Sequence, residues 1–371
     1  MGATPRRIGV LTGGGDCPGL NAVLRAVVKD AIHHDMSVVG FEDGFLGLIE
    51  DRWRELTLES VSGILTAGGT ILGSSNRADP RRHVSGSNPD GTPCFADVTE
   101  ACTRTLARLG VEALVVIGGD GTMACAWPFA ERGVNCIGVP KTIDNDLFGT
   151  ELSFGFLTAV QTATEAIDRV RTTAASHHRV MVVEVMGRNA GWIALHAGIA
   201  GGADVILIPE IPFILDEICR VVAARSKRGK RFSIVVVAEG ARPLGGERVV
   251  ERVDPTSPDP IRLGGVSRWL AQQVENRTGI ESRYVVLGHV QRGGTPLAAD
   301  RVLATQFGDH AMELLRAGKR NRLVVMQGMR LMDIDLREAA GKQRLVPTDH
   351  PLVEAARSVY VSFGDDPELA E

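Results

Sequence analysis

The sequence is poor in the features that mark disulfide-bonded, metal-cluster or membrane proteins. Aromatic residues make up 5% of 371 residues, and the six cysteines form no CxxC pair or metal-ligand spacing. No apolar run reaches the roughly 18 residues that a transmembrane helix needs, and the opening MGATPRRIGVL lacks the apolar stretch of a signal peptide. A net charge of −4 gives no reason to expect nucleic acid or an acidic membrane as a partner. We therefore expect a cytoplasmic protein with free thiols.

The chain is rich in glycine, with 43 residues, and alternates apolar runs with amphipathic stretches. This alternation predicts an α/β fold of two similar-sized three-layer domains, with mostly parallel sheets and an active site in the cleft between them. A length of 371 residues favours two domains over one. Strands are predicted at residues 7–11, 37–41, 113–117, 136–139, 180–186, 203–208, 232–238, 284–287 and 323–326. Helices are predicted at about residues 96–109, 155–173, 214–225, 264–277 and 296–316.

Two apolar runs near the middle of the chain end in polar segments, Ile117–Thr122 (IGGDGT) and Val139–Asp146 (VPKTIDND). Asp120 beside bare glycine amides suits Mg²⁺ held by few carboxylates and substrate phosphates, or else caps a helix. Asp144 and Asp146 are two residues apart, so one carboxylate could accept a hydroxyl proton while the other orients it or assists the metal. An Asx-rich turn is the alternative interpretation of this pair.

Other segments add amides and cations at predicted strand ends. Thr12–Gly19 (TGGGDCPG) follows the first strand and is typical of a phosphate-binding turn, or of a tight turn that needs positive φ. Gly68–Arg77 is a second glycine-rich loop. The loop at residues 43–47 is expected to expose Phe45, and residues 81–93 are expected to form a mobile, turn-rich excursion. The cations near glycines are Lys141, Arg179, Arg188, Arg283, His289 and Arg292, which together favour a highly anionic set of ligands.

The ordered motifs TGGGDCPG, DGFLGL, GGDGT, PKTIDND, VEVMGRNAGW, VAEG and RYVVLGHVQRGG resemble those of the 6-phosphofructokinase family over about residues 6–330. GGDGT alone is shared with NAD kinases and lipid kinases. The resemblance implies a glycolytic, Mg²⁺-dependent transfer of phosphate from ATP, or from pyrophosphate, to the 1-hydroxyl of fructose 6-phosphate. An NAD kinase-like enzyme and a non-catalytic sugar-phosphate sensor are the remote alternatives.

The resemblance also implies roles for individual residues. It gives Asp144 as the catalytic base, Asp146 and Arg188 as its catalytic companions, and Asp120 as the magnesium ligand. The implied donor-binding residues are Gly15, Asn76, Arg77, Gly119, Asp120, Gly121, Thr122 and Lys141. The implied substrate-binding residues are Thr142, Ile143, Asp144, Arg179, Met186, Gly187, Arg188, Glu239, Arg283, His289, Val290, Gln291 and Arg292.

Within the family, the choice of donor depends on two positions, and here they point in different directions. Glycine after GGD leaves room for the α-phosphate of ATP, whereas aspartate there goes with pyrophosphate. Gly121 therefore indicates ATP, while Lys141 before TIDND is usual in pyrophosphate enzymes. We predict ATP as the donor, because Gly121 lacks the side chain that would block its α-phosphate, and such a block is either present or absent. Pyrophosphate is kept as the alternative.

The resemblance also gives domain and subunit expectations. The donor domain is predicted at residues 1–150 with about 265–320, the sugar-phosphate domain at about 151–264 with about 321–340, and a C-terminal tail at 341–371. Arg179 and Arg283 match arginines that reach a neighbouring subunit's site, so a homotetramer or dimer is expected. An allosteric effector site is matched only in part, by Arg25, Lys29, Arg171, Arg228 and Lys230. Leu58 stands where a further arginine is expected, so allosteric control is not predicted.

Overall fold

The computed structural model of the protein describes residues 4–90, 92–254 and 260–365. Its helices are α1 (Leu20–His33), α2 (Phe45–Glu50), α3 (Thr99–Arg108), α4 (Asp120–Glu131), α5 (Phe156–His177), α6 (Trp192–Ala200), α7 (Leu215–Lys227), α8 (Val266–Thr278), α9 (Ala298–Arg316), α10 (Leu336–Ala339) and α11 (Pro351–Ser358). Short 3₁₀ helices lie at Ile64–Thr66, Pro80–Arg82 and Gly288–Gln291. Its strands are β1 (Arg7–Thr12), β2 (Ser37–Phe41), β3 (Trp53–Leu56), β4 (His83–Ser87), β5 (Pro93–Ala96), β6 (Ala113–Gly118), β7 (Asn135–Pro140), β8 (Val180–Val185), β9 (Val205–Leu207), β10 (Ser233–Ala238), β11 (Val250–Val253), β12 (Ile261–Leu263), β13 (Ser282–Val286), β14 (Arg322–Gln327) and β15 (Arg330–Asp335).

The described residues form two compact units. Unit 1 comprises residues 4–157, Pro260 and 292–344, and unit 2 comprises residues 158–254, 261–291 and 345–365. The predicted α/β fold with two domains and mostly parallel sheets is therefore confirmed.

Unit 1 is built on a seven-stranded sheet in the order β15-β14-β7-β6-β1-β2-β3. The five inner strands are parallel, and the edge strands β15 and β3 are antiparallel to their neighbours. All residues of β6 and β7 are buried, as expected for parallel strands that are covered on both faces. Because β1, β6 and β7 are parallel, their carboxyl ends at Thr12, Gly118 and Pro140 meet at one edge of the sheet.

Unit 2 is built on a four-stranded sheet in the order β13-β8-β10-β9, in which all pairings are parallel. Every residue of β8 and β10 is buried. Glu184 in β8 is buried with its neighbours, and its carboxylate accepts hydrogen bonds from the backbone amides of Gly265 and Ser267 and from the Ser267 hydroxyl. This carboxylate ties the first turn of α8 to the sheet.

The units assign some segments differently from the predicted domains. We placed about 265–320 with the donor domain. Residues 292–320 do belong to unit 1, whereas β13 pairs with β8, and α8 and β13 belong to unit 2. We placed about 321–340 with the sugar-phosphate domain, but β14 pairs with β7 and extends the sheet of unit 1. The predicted C-terminal tail divides between the units at Arg344, and its later part contains α11. Backbone pairing between segments distant in sequence decides these assignments.

The prediction that Phe45 is exposed was wrong. Phe45 is 3% exposed and begins α2, where its ring stacks on Phe129 with centroids 5.8 Å apart. The predicted excursion at residues 81–93 contains β4 and leads into β5, which together form an antiparallel hairpin.

All six cysteines are free thiols, and five of them are buried. Within the described part of the chain, no helix is both long and apolar enough to cross a membrane.

Candidate active site

The first glycine loop leaves β1 at the carboxyl edge of the unit 1 sheet. The amide of Gly13 donates to the carbonyl of Ile117, and that of Gly14 donates to the carbonyl of Ser75, over 2.9 and 3.1 Å. Gly14 has a φ of 77°, in the region that favours glycine. The Ser74 hydroxyl donates to the carbonyl of Gly14. The loop that carries Asn76 and Arg77 is thus attached directly to the first glycine loop.

The segment GGDGT turns from β6 into the first residues of α4. Gly119 precedes the helix, and Asp120, Gly121 and Thr122 occupy its first turn. Their amides have no acceptor one turn earlier in the helix, which makes this end suited to an anion. Thr122 is buried and packs against Gly13. A Cβ added to Gly13 would lie 2.7 Å from the methyl group of Thr122. A Cβ added to Gly121 would meet no protein atom within 4 Å, so this position borders open space.

Lys141 follows β7 and is 4% exposed. Its ammonium group donates to the carbonyl of Gly15 in the first glycine loop. Burial lowers the pKa of Lys141, and the nearby Arg292 lowers it further, whereas the carboxylates of Asp16 and Asp144 oppose this change. Arg292 donates to the carbonyl of Asp16 over 3.3 Å. Two cations therefore border the same glycine loop.

The segment Thr142–Asp146 brings two carboxylates together in a tight turn. The Thr142 hydroxyl accepts from the amide of Asp144 over 3.1 Å and donates to Asp146 Oδ1 over 3.0 Å. Asn145 has a φ of 52°, and its side chain is fixed to the backbone of Glu151 and Ser153. The bond from the Asp144 amide to the hydroxyl two residues earlier forms an ST turn rather than an Asx turn. Both aspartates lie near enough to Asp120 for the charges to interact.

The electrostatics of these carboxylates are unusual. Burial raises the pKa of Asp144, and Asp120 adds to this effect, while Arg292 and Lys141 oppose it. Burial, followed by the charges of Asp144 and Asp120, raises the pKa of Asp146 to about 7. Asp144 Oδ1 is buried and has no hydrogen-bond partner in the protein. An unsatisfied buried carboxylate oxygen is costly unless a ligand completes it.

These residues fit a magnesium ion of the kind that binds with a phosphorylated ligand. In the ranges that the structure describes, no group of three or more His, Cys, Asp or Glu side chains could hold a metal ion. Mg²⁺ is usually held by only one or two carboxylates, with water and substrate phosphates completing its six ligands. Asp120 and Asp146 supply two carboxylates, which is a ligand set of this size, and the side-chain amide of Gln343 hydrogen-bonds to both.

A segment that sequence reasoning assigned to the tail also reaches these carboxylates. Gln343 donates its side-chain amide to Asp120 Oδ2 over 3.1 Å and to Asp146 Oδ2 over 3.4 Å. The backbone amide of Arg344 donates to the carbonyl of Asp146 over 2.7 Å. Its guanidinium group donates to the carbonyls of Asn145 and Glu151. No motif surrounds Gln343 and Arg344, so no sequence signal could have identified them.

The second group of predicted residues lies at the carboxyl edge of the unit 2 sheet. Met186, Gly187 and Arg188 follow β8, Glu239 follows β10, and the 3₁₀ helix with His289 follows β13. The backbone of Met186 donates to the buried Gln291 side chain, and Gln291 donates to the carbonyl of Gly288. Because β8, β10 and β13 are parallel neighbours, these segments share one edge.

Gly240 shows how closely the segments after β8 and β10 approach each other. A Cβ added there would overlap the carbonyl oxygen of Arg188. The amide of Gly240 donates to the carbonyl of Gly187 over 3.1 Å. The Arg188 guanidinium group donates to the carbonyl of Ile261 over 2.7 Å.

Arg179 and Arg283 lie at the other end of the same strands. Arg179 precedes β8, and Arg283 is the second residue of β13, paired with Met181. Both arginines bind Glu281, Arg179 over 2.7 Å. A β-strand rises about 3.3 Å per residue, so Arg179 is roughly 20 Å along the chain from Met186. Within one subunit, these two arginines are separated from the other substrate residues predicted in unit 2.

Three other predicted residues are located as follows. Arg292 belongs to unit 1 and lies beside Gly15. A Cβ added to Gly15 would lie 2.8 Å from the Nη1 atom of Arg292. Ile143 is completely buried, so its side chain packs in the core. Val290 is 62% exposed at the end of the unit 2 sheet.

The chain has extensive similarity to known proteins. The family model for phosphofructokinase matches residues 7–315. The ATP-dependent 6-phosphofructokinase 2 of Clostridium perfringens is 49% identical, over 97% of this chain and 99% of its own length. The pyrophosphate–fructose 6-phosphate 1-phosphotransferase of Streptomyces coelicolor is 51% identical, over 96% of this chain and 100% of its own length. Relatives of similar identity thus carry names with different donors.

Solved structures show the same fold. Phosphofructokinase from Saccharomyces cerevisiae superimposes with a TM-score of 0.76 at 32% identity, over 90% of this chain. This chain covers only 44% of that yeast chain. The pyrophosphate-dependent phosphofructokinase from Marinobacter aquaeolei has a TM-score of 0.77 over 92% of this chain and 86% of its own. At 23% identity, the second likeness shows the fold alone.

Proposed function

Because this chain belongs to the phosphofructokinase family, we propose that it transfers a phosphoryl group from ATP to the 1-hydroxyl of fructose 6-phosphate in glycolysis. The observation that carries this proposal is the convergence of the α4 amino terminus, Lys141 and the Asp144 carboxylate at one edge of the unit 1 sheet. Phosphoryl transfer needs a phosphate-binding surface, cations and a base for the attacking hydroxyl. Family membership over residues 7–315 favours this reaction over that of an NAD kinase.

In the proposed mechanism, the unit 1 residues bind and align the donor. The amides of the first glycine loop and of the α4 first turn receive donor phosphates, and Lys141 and Arg292 offset their negative charge. Asp120, assisted by Asp146, would hold Mg²⁺, which when bound offsets the charge on the phosphate oxygens. Asn76 and Arg77 extend this surface on the loop attached to Gly14.

Asp144 is the proposed general base. Its pKa is raised by burial, and a base works best when its pKa approaches the working pH. Its unpartnered Oδ1 has the capacity to accept a hydrogen bond from the sugar hydroxyl. Thr142 fixes the turn through the amide of Asp144, so the carboxylate needs little rearrangement before it accepts the proton.

The unit 2 residues are proposed to bind fructose 6-phosphate. Arg188 and His289 are donors suited to phosphate or sugar oxygens, and Glu239 is an acceptor suited to a sugar hydroxyl. The separation of Arg179 and Arg283 from these residues along the strands supports the proposal that both arginines serve a neighbouring subunit. The active form would then be a dimer or tetramer. A cytoplasmic location stays a prediction.

The local structure at Gly121 supports ATP as the donor. Relatives named for ATP and for pyrophosphate are 49% and 51% identical to this chain, so overall identity does not separate the donors. Position 121 borders open space and carries no side chain, which leaves room for a nucleotide phosphate. The Lys141 ammonium group is hydrogen-bonded to the Gly15 carbonyl. It can contact a phosphate of either donor.

A donor-by-acceptor activity matrix tests the proposal. ATP and pyrophosphate are each combined with fructose 6-phosphate and with sedoheptulose 7-phosphate, and the sugar bisphosphate product is measured. We expect the highest kcat/KM for ATP with fructose 6-phosphate. Turnover with pyrophosphate alone would contradict the choice of donor, and binding of the sugar phosphate without turnover would support the sensor alternative.

A further inference from the structure

The strongest feature outside the predicted site is the contact between Gln343 and two of its carboxylates. Gln343 lies in a short segment of unit 1 that follows α10. Its side-chain nitrogen has two protons and lies 3.1 Å from Asp120 Oδ2 and 3.4 Å from Asp146 Oδ2. One neutral group therefore donates to two carboxylates, one in the first turn of α4 and one in the turn that follows β7.

The backbone of the same segment is fixed on both sides of Gln343. The amide of Gly341 donates to the carbonyl of Asp120, and the amide of Arg344 donates to the carbonyl of Asp146. Gln343 also pairs with Leu147 in an isolated antiparallel bridge. These bonds limit the positions that the Gln343 side chain can adopt, so its contact with the carboxylates is built into the fold.

A glutamine suits this position better than a charged residue would. Two neighbouring carboxylates repel each other, and this repulsion contributes to the raised pKa of Asp146. A lysine or arginine between them would compete with a divalent cation for the same oxygens. A neutral amide attracts both carboxylates and leaves their full charge available to a metal ion.

We propose that Gln343 is a positioning residue that holds Asp120 and Asp146 at the spacing in which they bind the divalent cation of the phosphoryl donor. This inference rests on the proposed function of the site. It extends the donor site to a part of the chain that carries no recognisable motif. Groups that hydrogen-bond to metal ligands are known to change metal affinity or activity by about 10–100-fold when they are removed.

The experiment measures Mn²⁺ binding by the full-length protein through the electron paramagnetic resonance signal of free Mn²⁺, with and without ADP. Gln343→Ala removes the amide, and Gln343→Met removes it while keeping a side chain of similar length. We expect both variants to weaken Mn²⁺ binding by about 10-fold or more. The Mg²⁺ concentration for half-maximal activity should rise by a similar factor, and the KM for fructose 6-phosphate should stay within about twofold of wild type.

Lys342→Ala is the matched control, because Lys342 is exposed in the same segment and lies 5.4 Å from the Phe148 ring. Wild-type Mn²⁺ affinity in both Gln343 variants would overturn the inference, as would an equal loss in Lys342→Ala. Failure of the wild-type protein to bind Mn²⁺ would overturn it as well. If the wild type binds Mn²⁺ but transfers no phosphate, the proposed function fails, while the binding data still decide the role of Gln343.

Discussion

Substitution of Gly121 by aspartate should strongly impair the use of ATP without unfolding the protein. Gly121 lies in the first turn of α4, and an added Cβ would meet no protein atom within 4 Å. An acidic residue in the first turn of a helix typically adds about 0.3–1 kcal/mol of stability. The Tm of Gly121→Asp should therefore stay within a few degrees of wild type.

The effect on nucleotide binding should be much larger. A carboxylate placed about 4 Å from an ATP phosphate would cost about 4 kcal/mol at an effective dielectric constant near 20. That free energy corresponds to a roughly 10³-fold loss in kcat/KM, since about 1.4 kcal/mol gives a factor of ten. Pyrophosphate lacks the nucleotide portion and should lose less activity, or gain some.

A coupled assay that follows fructose 1,6-bisphosphate through aldolase and NADH consumption measures both donors in the same way. Gly121→Ala is the control, because it adds a methyl group without a charge and should retain more ATP turnover than the aspartate variant. Unchanged kcat/KM for ATP in Gly121→Asp would refute the reasoning. So would equal losses with ATP and pyrophosphate in a protein whose Tm is unchanged.

Three further predictions concern the base, the sugar site and the subunit interface. Asp144→Asn keeps the shape of the side chain but removes the base, so kcat should fall by about 10²–10⁴-fold with little change in either KM; wild-type kcat would exclude Asp144 as the base. Gly240→Ala would overlap the carbonyl of Arg188, so thermal unfolding should show a loss of about 1–3 kcal/mol, together with a raised KM for fructose 6-phosphate. Arg179→Ala should be inactive alone but regain activity when its subunits are mixed and reassembled with those of Asp144→Asn. In such a hybrid, one site combines Asp144 from the first variant with Arg179 from the second. No recovery in verified hybrids would place Arg179 in its own subunit's site.

The strands and the unit 1 site were predictable because they depend on local patterns. Continuous apolar runs that end at glycines predicted β6 and β7, and parallel pairing then required their ends to meet. The convergence of Asp120, Lys141 and Asp144 followed from that single rule. In the same way, the ends of β8, β10 and β13 brought Met186 and Glu239 to one edge of unit 2.

The parts that were not predicted depend on contacts between segments distant in sequence. Phe45 follows two turn residues and looked exposed, but its ring is buried against Phe129, more than 80 positions later. Gln343 lies in a polar stretch with no periodicity, and only the folded chain brings it to Asp120. The division of the chain into units depends on such contacts as well, since no local pattern indicates that β14 pairs with β7.

The pairing of β14 with β7 has a consequence for the order of events during synthesis. About 180 residues separate these strands, so a ribosome has translated the whole first part of unit 2 before β14 emerges. Until then, β7 has one side without its final partner, and such an open edge invites pairing with other chains. A chain released before residue 322 would keep this edge open. Premature termination should therefore yield aggregation-prone fragments, and molecular chaperones that cover strand edges should raise the yield of the complete protein.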